Sequence, residues 1–140
     1  MRAVLDTNIL VSAILTPGGP AHQVVQLVFR GDLQICIDNR IVSEYHEVLT
    51  RGKFSFSSKI VQEFLESLLV EAQEVLCEPI PGRFPNESDR AFIETAVAGR
   101  AGVLVTGNLK DFRVAQKFGV VVKTPSEFLK WWSVARGRVG

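Results

Sequence analysis

Three carboxylates stand where a strand end or a helix face would more simply carry an apolar residue, and they set the chemistry open to this chain. Asp6 closes the apolar run Ala3-Val4-Leu5 and is followed at once by Thr7 and Asn8. In an open α/β sheet, ligand sites gather where strands end at their carboxyl edge. Asp6 or Thr7 in that place also serves as the N-cap of the next helix. Glu44 lies in Ile41-Val42-Ser43-Glu44-Tyr45-His46-Glu47-Val48-Leu49. At about 100° per residue, Ile41, Tyr45, Val48 and Leu49 form the inner face of that helix, with Glu44 on its edge and Glu47 turned to solvent. A charged glutamate there needs a cation, either a metal or a partner such as Arg40 or Arg51. Asp89 repeats the pattern at the start of the stripe Phe92, Ile93, Ala96 and Val97, with Glu94 off that stripe. It also suits a first-turn acid beside an N-cap at Asn86 or Ser88. Brought together, three such acids repel one another unless a hard divalent cation, Mg²⁺ or Mn²⁺, compensates them.

A further polar group, Thr106-Gly107-Asn108, follows the apolar run Val103-Leu104-Val105, so Thr106 and Asn108 are expected at the same carboxyl edge. Asp111 reads first as the start of the next helix, with a place beside the ligands as the alternative. His22 and His46, the only histidines, fall outside the acidic positions and receive no catalytic role.

The elements that must carry these residues alternate between strand and helix. Strands are expected at Arg2–Leu5, Leu33–Ile37, Val75–Cys77, Gly102–Val105 and Val120–Val122. Helices are expected at Asn8–Leu15, Ala21–Phe29, Arg40–Thr50, Ser57–Glu74, Glu87–Gly99, Asp111–Lys117 and Pro125–Val134. Pro17-Gly18-Gly19-Pro20 is the strongest turn signal. Glu78–Asn86 reads as a loop with three prolines, Thr106–Lys110 as a turn, and Gly137–Gly140 is expected to fray. Strands separated by helices imply parallel pairing through right-handed crossovers. The expected fold is therefore a three-layer α/β/α sandwich, one domain over residues 1–140. No Gly-Lys-Ser/Thr phosphate loop and no Gly-x-Gly-x-x-Gly fingerprint follows the first strand, which argues against nucleotide and dinucleotide binding.

Composition narrows the class further. At 140 residues and 46% hydrophobic, the chain is large enough to bury roughly two thirds of its unfolded surface. No run reaches the roughly 18 apolar residues of a membrane span, and Asp6 and Asn8 interrupt the only N-terminal apolar run. Cys36 and Cys77, each in a strand-like segment, read as buried thiols, which with the absence of a leader points to the cytoplasm. The net charge of +1 conceals an asymmetry: residues 1–96 hold 8 basic and 13 acidic side chains, residues 97–140 hold 8 and 2. A basic C-terminal third is compatible with a polyanionic partner.

Taken in order, Leu5-Asp6-Thr7-Asn8, Glu44 with Val48-Leu49 behind it, Asp89-Arg90-Ala91-Phe92-Ile93, and Val105-Thr106-Gly107-Asn108 before Asp111-Phe112 resemble a PIN domain. That family of metal-dependent ribonucleases includes the VapC-type toxins of toxin–antitoxin systems. The resemblance covers essentially the whole chain. The loop 78–86 and the segment Leu49-Thr50-Arg51-Gly52-Lys53-Phe54 are similar to the subgroup of toxin components. It implies a parallel five-stranded sheet of order 3-2-1-4-5, with Asp6, Glu44 and Asp89 as Mg²⁺ or Mn²⁺ ligands and as the catalytic acids of an endoribonuclease. It also implies a cognate antitoxin and a homodimer. Thr7, Asn8 and Thr106 would orient the ligands. Lys110, Arg113 and Lys117 would hold the RNA backbone. Where many members place a fourth aspartate after the Thr-Gly pair, this chain has Asn108, which removes one charge and bears on a second metal. Helices 21–29 and 57–74 offer surfaces for dimer and antitoxin, or ordinary core. Trp131-Trp132 suits the core or a dimer contact better than base stacking.

Two other readings compete. A PIN-like fold with weakened chemistry would serve as an RNA- or protein-binding module. A different phosphohydrolase would share the sheet, but an aspartate-nucleophile phosphatase needs Asp-x-Asp-x-Thr after its first strand, and Asn8 occupies the second acidic place.

Overall fold

The computed structural model describes residues 1–139, with side chains through Ala135. Five short parallel strands form the centre: β1 (Arg2–Leu5), β2 (Gln34–Ile37), β3 (Gln73–Glu74), β4 (Val103–Val105) and β5 (Val122–Lys123). Their order is β3-β2-β1-β4-β5, the 3-2-1-4-5 arrangement implied by the resemblance. The helices are α1 (Thr7–Leu15), α2 (Pro20–Phe29), α3 (Asn39–Leu49), α4 (Ser58–Leu69), α5 (Arg90–Ala98), α6 (Leu109–Phe112) and α7 (Pro125–Val139). They cover both faces of the sheet in a three-layer α/β sandwich. β1 runs at the centre because Ala3, Val4 and Leu5 are all fully buried, as a strand covered on both faces requires. Its register sets Leu5 beside Val105 of β4. The Asp6 amide then donates to the Val105 carbonyl at 2.9 Å, so pairing ends where the acid begins.

Local signals explain three of the helix starts. Asp38 caps α3 by accepting from the Ile41 amide at 3.1 Å, and Ser57 caps α4 through the Ile60 amide. Pro20 starts α2, where its missing N–H costs nothing.

Several boundaries differ from expectation. The helix expected over Ser57–Glu74 stops at Leu69, and the third strand is Gln73–Glu74 rather than Val75–Cys77. So short a strand is placed by its partner, Cys36 against Gln73 and Ile37 against Glu74, and not by its own residues. The last strand likewise slides to Val122–Lys123, where β4 offers Leu104 and Val105. The helix expected over Asp111–Lys117 divides into α6 and a 3-10 turn, Arg113–Phe118, and Glu87–Asp89 is a 3-10 turn leading into α5. α7 continues to Val139, and Gly140, at the end of the expected fray, lies outside the described residues.

Glu94 corrects the helical reading of α5. Read as lying off the core stripe, it is nevertheless only 4% exposed. It accepts from Arg40 Nη1 at 2.7 Å and from the Ile80 amide at 3.0 Å. The loop 78–86 folds back over this face: Arg90 donates to the Ile80 and Gly82 carbonyls at 2.7 Å each, and its guanidinium stacks over Phe84. Helical periodicity shows where the sheet lies but not where a loop returns.

The inner faces of α2 (Val24, Val25, Leu27) and α4 (Val61, Leu65, Leu68) are ordinary core. Trp132 also packs against the core, and Phe128 contacts both tryptophans. Among the described residues no helix is long and apolar enough to cross a membrane. Cys36 and Cys77 are free thiols, the first buried and the second half-buried. A close approach fixes one glycine: a Cβ on Gly99 would lie 2.6 Å from Cys36 Sγ. Gly99→Ala is expected to lower stability by about 1–3 kcal/mol through overpacking, read as a lower urea midpoint at unchanged m-value.

Candidate acidic centre

The carboxyl edge of β1 and β4 collects acids from four separate elements. Asp6 leaves β1 only 7% exposed and makes no capping bond to α1. Instead its Oδ2 accepts from the Thr106 hydroxyl at 2.7 Å, across a bridge between the ends of two adjacent strands. Thr106 is fully buried, and its oxygen also accepts from the Asn108 amide at 3.0 Å. That one hydroxyl therefore holds both the acid and the turn after β4.

Glu44 enters from α3, half-buried as its edge position predicts. Neither arginine offered to it by the sequence takes it. Arg40 pairs with Asp38 and Glu94, and Arg51 with Glu47. The Glu44 carboxylate accepts from the Thr7 hydroxyl. Asp89, at the entry to α5, is 9% exposed and caps no helix amide; Asn86 caps the preceding turn, through the Ser88 amide.

Asp111 is the residue whose place the sequence left open. It stands in the first turn of α6, which starts at Leu109, so the helix-start reading and the place beside the acids hold together. Its Oδ2 accepts from Asn108 Nδ2 at 2.7 Å, and its charge is felt by both Asp6 and Asp89. The turn after β4 thus delivers a fourth carboxylate through Asp111, with Asn108 steering it. The charge that Asn108 lacks is present three residues later, and that i,i+3 spacing is the signal that could have found it.

Electrostatics ties the four together. Burial pushes the Asp89 carboxyl up to about 7, with Asp6, Asp111 and Glu44 adding repulsion in that order. Burial also raises Asp6, opposed by the Thr106 hydroxyl and the Thr7 amide and reinforced by Glu44 and Asp111. Among the described residues no ion pair involves any of the four acids. Two buried carboxylates, Asp6 and Asp89, raised by burial and by neighbouring acids and without an ion-pair partner among the described residues, mark a candidate site for an external cation.

The donor set, oxygen only and multiply anionic, fits a hard divalent cation. The described side chains do not close into a cage: no three His, Cys, Asp or Glu groups among them converge tightly enough to hold a metal ion. Asp6 turns instead to Thr106 and Glu44 to Thr7.

The other expected residues divide. Thr7 and Thr106 donate to Glu44 and Asp6, whereas Asn8 is exposed and no hydrogen bond among those described joins it to the cluster. Lys110, Arg113 and Lys117 are all exposed on α6 and the turn that follows, beside Asp111 in sequence. His22 lies at the start of α2, accepting from the Gly18 amide, and His46 near the end of α3.

The family model for the PIN domain matches residues 2–110, spanning β1 through the start of α6 and so three of the four acids. The chain belongs to the PIN domain family. Solved structures share this PIN fold over nearly their whole length. VapBC2 from Rickettsia felis, bound to a DNA fragment from its promoter, aligns with a TM-score of 0.58 at 20% identity, over 89% of this chain and 98% of the other. VapBC-1 from nontypeable Haemophilus influenzae aligns with a TM-score of 0.59 at 18% identity, over 90% and 99%. FitAB bound to a DNA fragment aligns with a TM-score of 0.56 at 17% identity, over 88% and 94%. No curated protein matches the PIN chain in sequence.

Proposed function

We propose that this PIN-domain protein is a Mg²⁺- or Mn²⁺-dependent endoribonuclease, the toxin of a toxin–antitoxin pair. One observation carries the reading: Asp6, Glu44, Asp89 and Asp111 come from four elements to one sheet edge, Asp6 and Asp89 are raised by burial and by the neighbouring acids, and none of the four has an ion-pair partner among the described residues. Asp6, Glu44 and Asp89 would hold the ion, with Asp111 completing the charge. Bound there, a divalent ion supplies an activated water and Lewis-acid stabilisation for phosphodiester hydrolysis.

The chain's own contribution is position and charge. Thr106 and Thr7 each fix one carboxylate oxygen of Asp6 and Glu44, which leaves the other free to bind. The buried edge limits water, which strengthens the pull of the ionised carboxylates on a cation. Lys110, Arg113 and Lys117 hold the RNA phosphates, which adds affinity without choosing sequence.

The pairing with an antitoxin rests on the VapBC and FitAB complexes that share the fold. Free Cys36 and Cys77 fit a reducing, cytoplasmic setting. The reading includes a homodimer, the assembly implied by the resemblance, within a single domain.

A second reading, a binding module without catalysis, is favoured by the open spacing of the carboxylates. Labelled single-stranded RNA incubated with Mn²⁺, Mg²⁺ or EDTA separates the two. Endonucleolytic products that appear with metal and vanish in EDTA establish the enzyme. A folded protein that neither cuts in any metal nor binds Mn²⁺ by calorimetry establishes the module.

A further inference from the structure

Close to the acids in the chain stand three buried rings in series, each on a helix that bears one of the acids or directly follows it. Tyr45 follows Glu44 on α3, Phe92 lies on α5 three residues after Asp89 in the 3-10 turn that leads into it, and Phe112 follows Asp111 on α6. Tyr45 and Phe92 lie 6.4 Å apart between centroids. Phe92 and Phe112 meet edge-to-face at 6.3 Å. All three are at most 1% exposed. The remaining acid is reached through the Tyr45 hydroxyl, which donates to the carbonyl of Leu5 at 2.5 Å. Leu5 is the residue before Asp6, so the bond clamps α3 to the end of β1.

A phenol hydroxyl in a fully buried position must find a partner. This one selects the carbonyl that fixes the strand end carrying Asp6. Close-packed interiors pass displacement on instead of absorbing it, and rings with two torsions each are stiff members. The bond between Thr7 and Glu44 then spans the same gap from above, joining the residue after Asp6 to the residue before Tyr45.

We propose that Tyr45 is a positioning residue: its hydroxyl sets α3, and with it Glu44, against Asp6, while Phe92 and Phe112 carry the same register to Asp89 and Asp111. This deepens the metal-dependent reading above and rests on it.

Tyr45→Phe keeps the ring chain and removes only the hydroxyl. Mn²⁺ affinity, measured by calorimetry, is expected to fall about tenfold, the scale of losing a group that orients a ligand. In a Glu44→Gln background the same change is expected to cost less than about twofold, because the carboxylate it orients is gone. A purely structural role lowers the melting temperature in EDTA equally in both backgrounds and leaves affinity untouched or additive. Either of those affinity results overturns the proposal. The ¹³C resonance of the Glu44 side-chain carboxyl, recorded in EDTA, provides an independent readout. Displacement of that resonance by Tyr45→Phe supports the positioning role even in a protein that proves unable to bind Mn²⁺, where only the nuclease reading fails. An unmoved resonance overturns the role whatever the metal does.

Discussion

Asp6→Asn is expected to abolish metal-dependent RNA cleavage, lowering kcat/KM by at least about 10³-fold, while the protein stays folded. The separation follows from what each part of the side chain does. Asn retains an oxygen that can accept from Thr106, so the bridge between the ends of β1 and β4 survives. It loses the charge, and with it the donor that places a cation at the strand end. Because burial and the neighbouring acids already disfavour that charge, its loss is expected to leave the melting temperature in EDTA unchanged or higher. Cleavage assays in Mn²⁺ beside thermal melts in EDTA make the check. Activity retained within about tenfold of the parent enzyme would remove Asp6 from the ligand set.

The second large effect is in pH. Asp89 carries a carboxyl raised from 3.8 to about 7, by burial first and then by Asp6, Asp111 and Glu44. Between those values, in EDTA, the folded chain holds a proton that the unfolded chain has released. Stability must therefore fall as pH rises through this window: it is greatest near pH 4 and bottoms out above about 7. The unscreened shift corresponds to about 4 kcal/mol. Glu44 and Asp111 beside it remain in contact with water, and screening reduces the expected loss to about 1–2 kcal/mol. Asp89→Asn is expected to erase the slope and raise the melting temperature at pH 8 by several degrees. Mn²⁺ behaves in the opposite sense, since binding needs the ionised form. Its affinity should climb up to about tenfold per pH unit below 7 and then level off. Urea melts from pH 4 to 8 with and without Mn²⁺ test both limbs. A metal-free protein whose stability rises across this range would contradict the coupling of Asp89 to the other three acids.

These effects pull against each other for a physical reason. The cluster lowers stability so long as no cation neutralises it, and that cost concentrates negative charge at one sheet edge. A protein selected for stability alone would place apolar residues at these positions, as the surrounding strands do.

Much of this was legible in the chain itself. The runs ending at Leu5 and Val105 are too apolar to be anything but buried strands, and the residues after them must lie at the carboxyl edge. Helical spacing put Glu44 on the rim of an inner face, and the structure leaves it half-buried there. These readings rest on local periodicity, which each segment carries by itself. The tertiary structure decided what depends on neighbours distant in sequence. β3 is Gln73–Glu74 because β2 pairs with it there. Glu94 is interior because the loop at Ile80 returns over it. Asp111 joins the acids because β4 lies against β1, which brings residues 100 positions apart, such as Thr106 and Asp6, into hydrogen-bond contact. Sequence spacing records which residues share a face, whereas the acidic centre is made of faces from four elements, and only their packing sets one against another.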